Sequence, residues 1–129
     1  MRVLLWVVGL PGLFNGLWML YAPEAWYHNV PAEVPDTGPL NPHFIRDVGA
    51  AYITGSLALC VAAEMPAYRR AGVYGATLFF GMHALIHVFD LLTGRLPANH
   101  WLVDAPGVFL PTALLVVACL PRWWQDEPV

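Results

Sequence analysis

Four apolar stretches dominate the pattern of hydrophobic and polar positions, and the segments between them hold most of the charged residues and prolines. They span residues 3–22, 43–64, 72–93 and 105–121, each close to the roughly 20 residues with which an α-helix crosses a hydrocarbon core. Because backbone inside lipid must satisfy its own hydrogen bonds, all four are predicted to be helices. The fourth is short and contains Pro111, which predicts a tilt or a kink. The pattern predicts an all-α fold, an integral membrane four-helix bundle.

The first connection, residues 23–42, is predicted to be an outer loop that is long for a helical bundle. Its five prolines exclude a long helix, although residues 23–29 can form one short turn at the membrane interface. At the end of the loop, Asn41 is predicted to cap the second long helix, with Pro42 at the first helical position. A loop of this length is typical of a cap over a site.

Composition narrows the classes of function. The chain has 129 residues, enough for one domain, of which 58% are hydrophobic and 12% charged, against roughly 25% charged in soluble domains. All six basic residues are arginines, the net charge is −3, and no basic run exists to bind nucleic acid. The partners expected from this composition are the lipid bilayer and further copies of the chain, which glycine-rich helix faces would join into a homo-oligomer.

The distribution of arginine predicts the orientation. The side that holds both termini has four arginines, and the opposite side has two. Since basic residues accumulate on the cytoplasmic side, both termini are predicted to lie in the cytoplasm of a bacterial inner membrane.

The third stretch contains a stripe of ionisable residues: His83, His87 and Asp90, at spacings of four and three. A helix places such positions on one face. Ionisable groups at membrane depth are costly and rare, so the stripe is a hypothesis for a functional site. His43 and Asp47 in the second stretch repeat the four-residue step.

Depth along the helices suggests that the two groups meet. At about 1.5 Å per residue, Asp47, Asp90 and His87 lie roughly 5–9 Å below the outer helix ends, and His83 lies roughly 15 Å below. Antiparallel neighbours with a short connection should bring these levels side by side.

The preferred hypothesis is a transition-metal site between the second and third long helices. Imidazoles suit Zn, Fe and Cu, and carboxylates add oxygen ligands. The predicted ligands are His43, Asp47, His83, His87 and Asp90. Arg46 and Arg95 are predicted to pair with the ligating carboxylates or to bind a cofactor. If two ions are bound, His100 or a second copy of the chain would supply the additional ligands.

Three alternatives remain open. A haem b cytochrome would take axial histidines from different helices, with Arg46 and Arg95 on the propionates, since two histidines on one helix face cannot clamp one iron. A non-catalytic membrane scaffold would use the same residues as a buried hydrogen-bonded network. A quinone-binding subunit would use them to handle protons. None of these readings assigns a reaction, so whether the protein is an enzyme stays open.

The segment from Asn41 to Ala58 reads N-x-x-x-x-R-D-x-G-x-x-Y-x-x-G-x-x-A. In this pattern, in length and in its four predicted spans, the chain resembles the DoxX-like small four-helix membrane proteins. The resemblance implies a role in quinone-dependent sulfur oxidation. It extends over one helix and the general layout, and the His-x-x-x-His-x-x-Asp stripe has no counterpart in it, so no catalytic residue follows from it.

Overall fold

The computed structural model describes residues 1–124, and all secondary structure among them is helical. The helices are α1 (Arg2–Tyr21), α2 (Pro23–Asn29), α3 (Pro42–Glu64), α4 (Pro66–Leu92), α5 (His100–Val103) and α6 (Leu110–Ala118). Single 3-10 turns lie at Val34–Thr37 and Pro121–Trp123, and a π-helical turn, Ala105–Phe109, leads directly into α6.

Three helices, α1, α3 and α4, are long and apolar enough to cross a membrane. Their outward faces expose large hydrophobic side chains, among them Phe14 and Leu78, each 68% exposed. Such extensive exposed apolar surface is unusual in a soluble monomer and is consistent with a membrane protein. The fourth apolar segment, Ala105–Ala118, is shorter than these spans.

The sequence-based expectations and the structure differ most at α4. This helix begins at Pro66, six residues before the predicted start, because proline is well suited to the first turn, where no N–H donor is needed. Asn41 is confirmed as the cap of α3, since its side chain accepts a hydrogen bond from the backbone N–H of Phe44 at 3.1 Å. The π-helical turn lies immediately before Leu110 and Pro111, so α6 has an irregular start.

Close packing of α1 against α3 determines which face of α3 turns inward. Gly16 and Gly49 lie against each other, since a Cβ on Gly16 would stand 2.7 Å from the Gly49 carbonyl oxygen. A Cβ on Gly49 would in turn stand 2.9 Å from the Gly16 carbonyl oxygen. Small residues allow two backbones to approach this closely, which maximises van der Waals contact. This pair fixes the rotation of α3 about its axis.

The other helices follow in chain order, with α4 packing on α3 and α6 packing on α4. Between α3 and α4, the ring of Tyr52 makes edge contacts with Phe79 and Phe80, at centroid distances of 5.2 and 5.6 Å. Phe80 is fully buried. Edge-to-face aromatic pairs of this kind add to the hydrophobic effect of burial.

The two ends of the helices differ in chemistry. At one end, Arg2 of α1 forms a two-point ion pair with Glu64 of α3, at 2.8 and 2.7 Å, and Trp6 donates to the same carboxylate. At the other end, Glu33 and Asp36 meet α5, where Asp36 lies 3.4 Å from Nε2 of His100. The candidate site lies at this second end.

Candidate metal centre

Asp104 is the centre of a polar cluster where α4 meets α5. Its carboxylate is 2% exposed and lies 2.8 Å from Nδ1 of His87. It also lies 3.3 Å from Nδ1 of His100, one helical turn before it in sequence. One buried carboxylate therefore orients two imidazole rings, one from each helix.

His100 is fully buried, and both of its ring nitrogens face carboxylates. Nδ1 faces Asp104, whereas Nε2 lies 3.4 Å from Asp36 and 3.9 Å from Glu33. A neutral imidazole has one N–H donor. With that proton on Nδ1, the lone pair of Nε2 points at two carboxylates, so a cation or a second proton is needed between them.

Glu33, Asp36 and His100 form a group whose ligand atoms all lie within 4.8 Å of one another. A single metal ion bound here would have one nitrogen and two oxygen ligands. Glu33 and Asp36 are exposed at the surface of the loop between α2 and α3, and His100 is buried behind them. The three residues can hold a metal ion that enters from the solvent side.

The backbone of the loop between α2 and α3 brings both carboxylates to His100. Glu33 has a φ of +46°, in the left-handed region that non-glycine residues seldom occupy, and the 3-10 turn that contains Asp36 follows directly. Asn99 donates to the Glu33 carboxylate at 2.7 Å, and Tyr27 donates to the Gly38 carbonyl at 2.7 Å. These bonds fasten both sides of the turn.

Electrostatics favour a cation here. Glu33, Asp36 and Asp104 together bring three negative charges, and within residues 1–124 the buried Asp104 side chain is bonded only by imidazoles. A buried carboxylate is costly unless it is paired with positive charge. Imidazolium rings, or a divalent ion on Nε2 of His100, would supply that charge.

The cluster continues inward along α4. The ring of His83 lies 4.8 Å from that of His87, between centroids, and contacts the rings of Tyr52 and Phe79. Two of the predicted residues, His83 and His87, are therefore brought together between α3 and α4. Their neighbour is Asp104, which the sequence-based prediction did not include.

The other half of the predicted ligand set lies elsewhere. His43 and Asp47 pair with each other at 3.5 Å and are 88% and 64% exposed. They lie on the outward face of α3, because the Gly16–Gly49 contact with α1 turns the opposite face inward. Among the described residues, no metal-sized group of three includes either of them. The structure therefore does not bring His43 and Asp47 together with His87, contrary to what the sequence-based prediction expected.

The remaining predicted residues also have other partners. Asp90 pairs with Arg95 at 3.4 Å, and Arg95 lies over the ring of Phe89. Arg46 donates to the carbonyl of Leu20 at the end of α1, at 3.3 Å. In the structure, Arg46 and Arg95 thus stabilise helix ends rather than the carboxylates of the candidate centre.

The sequence contains a pattern that points to two residues of this site, His100 and Asp104, which the sequence-based ligand set did not include. His100-x-x-x-Asp104 has the same spacing as His43-x-x-x-Asp47, and Asp104 stands at the head of the last apolar segment. Glu33 and Asp36 gave no such signal, since they are loop carboxylates without periodic spacing. Only the folded loop places them beside an imidazole.

No family model, curated protein or solved structure matches this chain. The resemblance of residues 41–58 to the DoxX-like proteins therefore gains no support from these comparisons and stays a prediction. Function has to be argued from the site itself.

Proposed function

We propose that the protein is an integral membrane protein that binds a divalent transition-metal ion at its outer end, through His100, Asp36 and Glu33. The observation that supports this most directly is the convergence of Nε2 of His100 with two carboxylates, while Nδ1 is held by Asp104. Histidine ligands of metals usually donate their second N–H to a carboxylate, which fixes the ring and makes the ligand more basic.

The donor set favours Zn²⁺, Fe²⁺ or Mn²⁺ over softer ions. One imidazole and two carboxylates are borderline to hard ligands, and cysteine, the soft ligand, is absent from the group. Three protein ligands leave a coordination position open, as in sites that bind a substrate or a water molecule. The exposed position of both carboxylates suits capture or exchange of the ion, and handling of metal ions is the activity we propose.

Absorption spectra and metal-binding measurements on the same protein distinguish the alternative functions. A haem b protein would show an intense Soret absorption band, with His83 or His87 as an axial ligand. A quinone-binding subunit or a scaffold with a polar network would bind neither metal nor haem. The Asp104 network is compatible with a scaffold, but a scaffold gives no reason for the Asp36 carboxylate to stand 3.4 Å from Nε2 of His100.

Replacing the loop carboxylates tests the proposal. The double variant Glu33→Gln/Asp36→Asn removes both oxygen ligands at exposed positions, so the fold should survive. We expect Zn²⁺ affinity at this centre to fall at least 100-fold, measured by calorimetry on the purified full chain in detergent.

The matched control is Glu24→Gln/Asp47→Asn, which removes one exposed carboxylate from the loop side and one from α3. It lowers the negative charge equally without touching the centre, and Zn²⁺ affinity should stay within twofold of the wild type. Equal losses in both double variants would mean that the ion is attracted by general charge, and the proposed centre would be wrong.

A further inference from the structure

The histidine pair on α4 has properties that the loop centre does not explain. His83 and His87 lie one turn apart on the same helix face, with ring centroids 4.8 Å apart and planes at 61°. They lie inside a helix that is long and apolar enough to cross a membrane. Ionisable residues in such helices are rare, and they mark sites and pathways more often than packing.

The two rings of this pair differ in their hydrogen bonds. His87 uses Nδ1 toward Asp104 at 2.8 Å, which leaves Nε2 available. His83 forms no hydrogen bond with any residue in the range 1–124, although it is partly buried and touches Tyr52 and Phe79. The pair therefore presents one imidazole that a carboxylate orients and one that forms no hydrogen bond with residues 1–124.

We infer that His83 and His87 form a second metal site, for a copper or zinc ion, inside the helical region. It shares the orienting Asp104 with the loop centre but no ligand, so it does not depend on the proposed function. Both donors are imidazoles, which suit copper and zinc. Two protein ligands leave coordination positions open, and the aromatic rings of Tyr52 and Phe79 form the adjacent wall.

The two sites are expected to differ in chemistry. The loop centre offers two carboxylate oxygens, whereas the α4 pair offers nitrogen only within the described residues. Copper bound to the α4 pair should therefore be coupled to two imidazole nitrogens. This signature separates it from copper bound to the loop centre, where a single nitrogen is coordinated.

Copper binding to the full chain in detergent tests the inference, with Cu²⁺ itself as the probe. The wild type should bind two equivalents, and Glu33→Gln/Asp36→Asn should bind one, whose electron paramagnetic resonance spectrum shows coupling to two nitrogens. His83→Ala should also bind one equivalent, with coupling to one nitrogen. His83→Gln, which preserves side-chain volume, should behave as His83→Ala and decides the result if the alanine variant fails to fold.

His43→Ala is the matched control, because His43 has the same spacing to Asp47 that His100 has to Asp104 but lies at the surface. This variant should still bind two equivalents of Cu²⁺ and show both electron paramagnetic resonance signals. The inference is overturned if the loop double variant binds no copper, or if His83→Gln keeps a signal coupled to two nitrogens. Retention of both equivalents in the loop double variant would instead contradict the loop centre, and the His83 variants would still decide the α4 site.

Discussion

Replacing Asp104 with asparagine should have the largest effect of any single change in the cluster. Asparagine keeps the shape but offers one acceptor oxygen, and its amide N–H groups then face an imidazole. Since Asp104 accepts from both His87 and His100, at 2.8 and 3.3 Å, two hydrogen bonds to a buried charged group are disturbed. We expect the free energy of unfolding of the metal-free protein to fall by about 2–3 kcal/mol. Denaturant titration in detergent measures it.

The same substitution should weaken metal binding by about 10- to 100-fold, the usual effect of losing the carboxylate that orients a ligating histidine. Calorimetry with Zn²⁺ measures this directly. Asp47→Asn is the control, because it changes an exposed aspartate four residues after a histidine, and its unfolding free energy should stay within about 0.5 kcal/mol of the wild type. An Asp104→Asn protein with wild-type stability and wild-type affinity would rule out the central role of this carboxylate.

The second large effect is expected at the contact between α1 and α3. In Gly16→Ala, the new Cβ would stand 2.7 Å from the Gly49 carbonyl oxygen and 3.0 Å from the Ile53 backbone nitrogen. Because both neighbours are backbone atoms, the helices must separate. Overpacking of this kind lowers the free energy of unfolding by about 1–3 kcal/mol. The denaturant concentration at the midpoint of unfolding should therefore fall, as measured by titration in detergent.

Gly75→Ala should have the opposite effect and raise the free energy of unfolding. Gly75 lies within α4, and a Cβ there meets nothing within 4 Å. Alanine lowers the conformational entropy of the unfolded chain and favours the helix, so this variant should gain up to about 1 kcal/mol. Equal effects of the two substitutions would contradict the close contact of Gly16 with Gly49.

Local chemistry allowed much of the fold to be predicted. The lengths of the apolar stretches, the cap at Asn41 and the proline at position 42 each depend on neighbouring residues alone, and the structure has long helices at these positions. The helical spacing of His83 and His87 likewise requires only 3.6 residues per turn. These features follow from backbone geometry and residue type, which the sequence states directly.

The composition of the site was decided by tertiary structure. The four-residue step places His43 and Asp47 on one face, but the step does not say whether that face turns inward. The contact between Gly16 and Gly49 decides it, because the two backbones approach most closely with that face outward. The loop carboxylates Glu33 and Asp36 reach His100 only through a left-handed residue and a fastened turn.

The sequence by itself thus determined that the chain is helical, that it contains helices apolar enough for a membrane, and that His83 and His87 share a face. It predicted four spans, whereas three helices in the structure are long and apolar enough to cross a membrane. Tertiary structure alone decided that Asp104 orients His87 and His100, and that two loop carboxylates stand opposite His100. The reason is physical: helical periodicity acts over a few residues, whereas helix rotation and loop closure depend on contacts between residues far apart in the chain.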